Sequence, residues 1–256
     1  MNDYEGLLDQ LAQAELLPHD LLAAFVMGSR ARGFTHNNSD IDLYVVTGER
    51  WGGQCDQEVR VGLDPPSVPA AITAFGDIPL EVRYWQERQV DQLIARLDPE
   101  LFRDGRAHAG DTWAEISFPI RLQHAVVLAG ADWVAERRAQ LAASALRLMV
   151  VTEALDAMDS ATEDAVGMLE SGDTGSATIA AKWAFAHAVQ ALLCAGGDVD
   201  EPKWRARRMA LVDPPLLRYD EYLAFETMRD YDLAAPEKWI NSVLELCQRI
   251  SMGVEL

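Results

Sequence analysis

Two short apolar runs constrain this chain most: LLAAFVM at 21–27 and IDLYVV at 41–46. Both have the length and apolar content of buried strands, and the second adds aromatic and β-branched residues. The polar segment between them puts Gly28-Ser29 at the end of the first strand and Asp40-Ile41-Asp42 at the head of the second. Any fold must therefore bring a Gly-Ser turn and a pair of closely spaced carboxylates to the ends of two core strands.

Residues two apart on a strand point to the same face, so Asp40 and Asp42 project together while Ile41 and Leu43 enter the core. Two adjacent carboxylates repel, and each prefers a bound cation. Hard divalent ions such as Mg²⁺ take carboxylate oxygens and also bind phosphates. A pair of such ions roughly 3.5–4 Å apart is the usual clamp for phosphoryl and nucleotidyl transfer. Gly28 lets the backbone approach a ligand, because it has no Cβ. Ser29, with Arg30 beside it, opens a short helix or turn whose N–H and hydroxyl groups suit phosphate oxygens.

The first 120 residues alternate in character. A helix is expected over 3–17, strands at 21–27 and 41–46, and a loop over the Gly-, Pro- and Asp-rich stretch 48–69. AAITAF and PLEVRYW read as a hairpin across a GDI turn, followed by a helix over ERQVDQLIARL. From about residue 121 the apolar residues recur at helical spacing, and about four helices are expected. The chain thus reads as an α/β domain over 1–120, a mixed sheet with flanking helices, and an all-α bundle over 121–256.

The formal net charge is -19. A protein that grips a long nucleic acid needs a cationic stripe, so a long polyanion is not the expected partner. A cationic small molecule would be drawn in. The apolar runs are too short to suggest a membrane span, and the acidic N-terminal helix lacks the basic flank of a signal peptide. Cys55, Cys194 and Cys247 form no CxxC pair, which points to a reducing cytoplasm rather than a disulfide or zinc framework. Lys is scarce: Lys182 stands in AAKWAFAHAV, and Lys203 opens the basic cluster KWRARR. Both are candidates for closing over a triphosphate, although such basic residues also serve as ordinary ion-pair partners.

The stretch GSRARGFTHNNSDIDLYVV resembles the Gly-Ser…Asp-x-Asp signature of the DNA polymerase β-like nucleotidyltransferase superfamily, nearest in size to its antibiotic-modifying and minimal members. The resemblance covers roughly residues 20–90. It implies that Asp40 and Asp42 bind two Mg²⁺ ions, that Gly28 and Ser29 hold the phosphates of ATP or another nucleoside triphosphate, and that a third carboxylate lies on a later strand. Glu81 is the candidate for that role, with Asp77 second. The helical half is similar, more loosely, to the bundles that follow such domains in aminoglycoside nucleotidyltransferases and HEPN-type proteins. The nearest match to the Arg-x4–6-His motif of HEPN ribonucleases is Lys182 with His187, and the replacement of Arg by Lys argues against that activity. The expected reaction is transfer of AMP from ATP to a hydroxyl of a small, cationic, aminoglycoside-like acceptor by a monomer or homodimer. The alternatives are transfer to a protein or a tRNA end, as in toxin–antitoxin pairs, or an inactive nucleotide-binding regulator.

Overall fold

The computed structural model describes residues 4–254, which divide into two compact units, Met1–Leu146 and Arg147–Leu256. The first contains, in order, α1 (Leu7–Gln13), β1 (Leu21–Met27), α2 (Gly28–Ala31), β2 (Ile41–Thr47), β3 (Gln57–Arg60), β4 (Ser67–Phe75), β5 (Ile78–Gln86), α3 (Glu87–Ala95), α4 (Pro99–Arg103), α5 (Trp113–Leu122), β6 (Val126–Ala129) and α6 (Ala131–Ala143). The strands form one mixed sheet in the order β3-β4-β5-β2-β1-β6, with β2 and β5 parallel and every other pair antiparallel.

The two constraining runs are the centre of this sheet. Ala23 to Met27 and Leu43 to Val46 are fully buried, so both faces of these strands are covered. Strand alternation sorts their side chains. Val26, Ile41, Leu43 and Val45 pack with Leu7 and Leu11 of α1 and with Leu80, Val82 and Tyr84 of β5. On the other face the rings of Phe25, Tyr44 and Trp85 gather around Phe118 of α5, with centroids 6.3, 5.9 and 4.7 Å from it. The β4–β5 hairpin closes between Phe75 and Ile78 through Gly76 and Asp77. Gly76 has φ +59, the left-handed conformation such a two-residue turn demands.

Stretch 48–69 is not all loop. Gln57–Arg60 pairs with Ser67–Ala70 as an edge strand whose side chains are mostly exposed, so it carries little apolar signal. The boundary between the compact units falls after Leu146, later than the change of texture near residue 120. The intervening residues join the sheet unit because β6 pairs with β1.

The described residues of the second unit form five helices: α7 (Leu146–Glu170, which starts at the last residue of the first unit), α8 (Thr174–Ala195), α9 (Arg205–Val212), α10 (Tyr219–Glu226) and α11 (Pro236–Gly253). Asp173 caps α8 by accepting from the Ser176 N–H at 3.0 Å. Ala177, Ala180, Ala181, Ala184 and Ala188 give α8 a flat buried face against Trp239, Ile240, Val243 and Leu246 of α11. By length and composition α8 is apolar enough to cross a membrane, contrary to the reading of its short apolar runs. However, 72% of its most apolar window is buried within the protein, as for a core helix.

The basic cluster KWRARR is also divided. Lys203 and Arg207 are exposed, but Arg208 is fully buried and all five of its N–H donors are engaged. Nε donates to Asp198 Oδ2 (2.6 Å), Nη1 to Gln190 Oε1 (2.8 Å) and the Glu201 carbonyl (2.7 Å), and Nη2 to the Asp198 carbonyl (2.7 Å) and Cys194 Sγ (3.8 Å). The sequence grouped Arg208 with a surface patch, whereas it is a structural node.

Candidate active site

The site is built at the junction of β1, α2, β2 and β5. β1 ends at Met27, which pairs with Asp42 of β2. Gly28 then turns the chain with φ +70, and a Cβ on it would stand 2.5 Å from Asp42 Oδ2. Any side chain here would be strained and would also collide with the carboxylate, so Gly28 is fixed by two separate requirements. Ser29 follows in the single turn of α2, and no described residue hydrogen-bonds its hydroxyl, while its carbonyl accepts from the Phe34 N–H at 2.8 Å. Arg30 turns back toward the chain: Nη2 donates to the Ser39 carbonyl (2.6 Å) and Nε to the Asp40 carbonyl (2.9 Å). This clamp draws the 32–40 loop onto α2 and sets Asp40 at the mouth of β2.

Asp40 is exposed, whereas the Asp42 side chain is only 19% exposed and lies 3.5 Å from Arg121 Nη1 of α5. Of the two aspartates, Asp40 alone faces solvent. Burial pushes the Asp42 carboxyl above the usual carboxylate range; Arg121 opposes this, Asp40 adds to it, and Arg83 and Glu81 act in the same two senses more weakly.

The parallel β2–β5 register sets Asp42 beside Glu81 and Tyr44 beside Arg83. With neighbouring strands about 4.8 Å apart, Glu81 belongs to the same cluster as Asp42. Asp77 is in the hairpin turn, four residues earlier, about 13 Å away along the strand. Glu81 is held by a two-pronged ion pair: Arg83 Nε donates to Oε1 (2.9 Å) and Nη2 to Oε2 (3.0 Å). Gln57 Nε2 of the edge strand adds a third donor at 3.0 Å. Arg83 Nη1 donates to the Tyr44 hydroxyl at 3.0 Å, and burial pushes that phenol up, so it stays neutral. Trp113, at the start of α5 and 49% exposed, lies against both guanidiniums, 5.4 Å from Arg83 and 4.6 Å from Arg121.

No group of three His, Cys, Asp or Glu side chains among the described residues converges as a bound metal ion would require. The donor chemistry nevertheless fits a hard divalent cation: all three groups are carboxylates, and two of them have already drawn a guanidinium.

Lys182 and Lys203 belong to the second unit. Lys182 Nζ donates to the Glu226 carbonyl at 3.0 Å, a cation on the last turn of α10. Lys203 is exposed. Two site residues were not found from sequence, Trp113 and Arg121. The available signal was Thr112-Trp-Ala-Glu115, a capping-box pattern that starts a helix and places an aromatic and an arginine eight residues apart on it. In the structure Thr112 does cap α5, and the buried Glu115 ties it down, accepting from Thr112 Oγ1 (2.7 Å), the Gly62 N–H (2.8 Å) and Arg96 Nη1 (2.6 Å).

Residues 8–116 match the sequence model of the nucleotidyltransferase domain family. Among solved structures, a nucleotidyltransferase-like protein from Exiguobacterium sibiricum 255-15 shares the fold at 11% sequence identity with a TM-score of 0.52, over 97% of this chain and 74% of that one. Comparison with curated proteins finds no match. The mixed sheet and its matched sequence define the first unit as a nucleotidyltransferase domain. The chain thus carries a nucleotidyltransferase domain over residues 8–116, a domain whose substrate is a nucleoside triphosphate.

Proposed function

We propose that the enzyme transfers a nucleoside monophosphate, AMP from ATP, to a hydroxyl of a small cationic acceptor of the amino-sugar type, with Mg²⁺ as cofactor. The observation that carries this reading is the pairing of Asp42 with Glu81 in the β2–β5 register, directly against the bare Cα of Gly28. Asp40 and Asp42 are the residues that would hold divalent ions, with Glu81 as third carboxylate. Such ions, when bound, polarise phosphoryl oxygens and lower the pKa of an attacking hydroxyl.

The rest is the work of the chain. Gly28 admits the triphosphate close to the backbone, and the Ser29 hydroxyl is unspent and available to a phosphate oxygen. Arg30 fixes the loop that carries Asp40 and is best read as a brace for the nucleotide site. Glu81 would accept the acceptor's proton once its oxygens are freed from the Arg83 fork.

The acceptor class follows from charge. A net charge of -19 far exceeds the three carboxylates of the site, and a cationic acceptor would be steered by the surplus. The burial of Arg208 leaves Lys203 and Arg207 as the exposed part of the basic cluster, a small patch for tRNA. The buried Cys194 and Cys247 and the exposed free thiol of Cys55 suit a reducing cytoplasm.

The test is transfer of label from α-labelled nucleoside triphosphates to amino sugars, to tRNA and to protein, with and without Mg²⁺. Label should pass to an amino sugar, only with the metal, and not in Asp40→Asn or Asp42→Asn. Label confined to tRNA or protein would replace the acceptor, and nucleotide binding with no transfer at all would make the chain a regulator.

A further inference from the structure

Arg83 stands where a catalytic carboxylate would be expected to keep its lone pairs open. An ionised carboxylate offers about four lone-pair sites. Three of those on Glu81 are taken, two by the Arg83 fork and one by Gln57. Asp42 has its own resident cation in Arg121, 3.5 Å away. Three carboxylates facing two guanidiniums leave a local charge of about -1 in the empty site. That is a weak attraction for a free divalent ion, which would also have to sit within a few ångströms of a fixed positive charge. A nucleoside triphosphate brings about four negative charges, and these reverse the balance.

We propose that Arg83 makes metal binding at Glu81 conditional on the nucleotide: it occupies Glu81 while the site is empty and passes to the triphosphate when metal and nucleotide arrive together. The inference rests on the reading of Asp40, Asp42 and Glu81 as metal-binding residues. Arg83 has the means to exchange. It is 12% exposed and Glu81 20%, so neither is sealed in. Its planar fork fits a phosphate as well as a carboxylate. Its remaining nitrogen is held by Tyr44 at 3.0 Å and its face by Trp113, so the guanidinium can change partner by a short swing while its root stays anchored. Arg83 is on this account a positioning residue that releases Glu81 for its work.

The experiment measures Mn²⁺ binding to the full chain, by calorimetry and by the spin-resonance signal of the free ion, with and without a non-hydrolysable ATP analogue. Wild-type protein should bind Mn²⁺ weakly alone and tightly with the analogue. Arg83→Gln should bind Mn²⁺ alone at least about tenfold more tightly, because a repelling charge has gone. Arg83→Lys, which keeps the charge but loses the fork, should fall between. Glu81→Gln/Arg83→Gln should return to weak binding, which assigns the new affinity to Glu81. If Arg83→Gln is folded by circular dichroism and binds Mn²⁺ alone no better than wild type, the proposal is wrong. Should Arg83→Gln not fold, wild-type protein decides through the Arg83 Nε–H resonance. It should move on adding Mg²⁺ with the analogue and not on adding Mg²⁺ alone; movement with Mg²⁺ alone, or with neither, overturns the proposal. The underlying metal reading is tested separately by Asp42→Asn in the presence of the analogue. If that variant keeps the full wild-type Mn²⁺ affinity, the metal assignment itself fails, whatever Arg83 does.

Discussion

Arg208 with Asp198 in the helical unit and Arg83 with Glu81 in the sheet unit are both arginine–carboxylate pairs, yet they serve opposite ends. Arg208 is fully buried, 2.6 Å from its carboxylate, and all five of its donors are used within one unit. Arg83 is 2.9 Å from its partner, retains some exposure, and shares its surroundings with a half-exposed tryptophan and a second carboxylate. A pair whose every valence is satisfied out of water has nothing left to give a ligand, and its cost of rupture is paid by the fold. A pair beside the head of β2, next to like charges and a bare glycine, can be exchanged. Composition alone cannot separate the two, because both are written as Arg among acidic residues.

The contrast can be broken at several points. Asp42→Asn should remove transfer by on the order of 10⁴-fold, ~5 kcal/mol of transition-state stabilisation, while circular dichroism stays unchanged. Arg208→Ala should do the reverse. Urea unfolding should show a loss of about 3–5 kcal/mol, since Asp198 and Gln190 are left buried without their partner. Glu115→Gln should cost roughly 1–3 kcal/mol near neutral pH. Burial alone would raise the Glu115 carboxyl, but donors from Gly62, Thr112, Arg96 and Asp111 outweigh it and hold the group below its ordinary 4.5. Its stabilisation is therefore present above that value and is lost as pH falls through the folded-state pKa, so the gap between Glu115→Gln and wild type should close in acid melts.

A smaller effect of opposite sign attaches to Asp42. Because its carboxyl is raised from 3.8 in the folded protein, the stability it contributes is complete below that pH and is lost as the group ionises on the way up. Asp42→Asn should accordingly melt slightly above wild type at neutral pH and lose that advantage below about pH 4. A lower melting point at neutral pH would mean that the Arg121 contact outweighs burial. Smallest of all, Lys203→Ala with Arg207→Ala should change stability by no more than about 0.5 kcal/mol and leave transfer to an amino sugar intact. Loss of transfer with ATP still bound would point to an anionic acceptor.

The parts of this molecule legible in the sequence are those where one local rule suffices. LLAAFVM and IDLYVV were recognisable as core strands because their burial is continuous, and the β4–β5 hairpin because Gly76 marks its turn. β3 escaped because an edge strand with exposed side chains lacks apolar alternation. In the candidate site, Gly28, Ser29, Asp40 and Asp42 lie on one short stretch and could be read together. Glu81 could be nominated from strand alternation, but its neighbour across the ladder depends on the register. Arg121 reaches Asp42 from 79 residues downstream through the packing of α5, a relation that no local pattern encodes. Arg208 misled for the same reason: Gln190, Cys194 and Asp198, which bury it, belong to another helix and its exit.

The short strand β6 sets where this domain can be divided. It covers the outer edge of β1, pairing Val126 with Val26 and Val127 with Phe25. A fragment ended near residue 120, where the family match and the change in sequence texture both suggest a cut, would leave β1 as an edge: a run of hydrophobic residues with a row of unmet backbone hydrogen-bonding groups. Such an edge recruits other strands, and the fragment would be expected to self-associate in solution. A fragment carried past β6 should stay monodisperse where the shorter one self-associates, because its own next strand then occupies the place a neighbour would otherwise take.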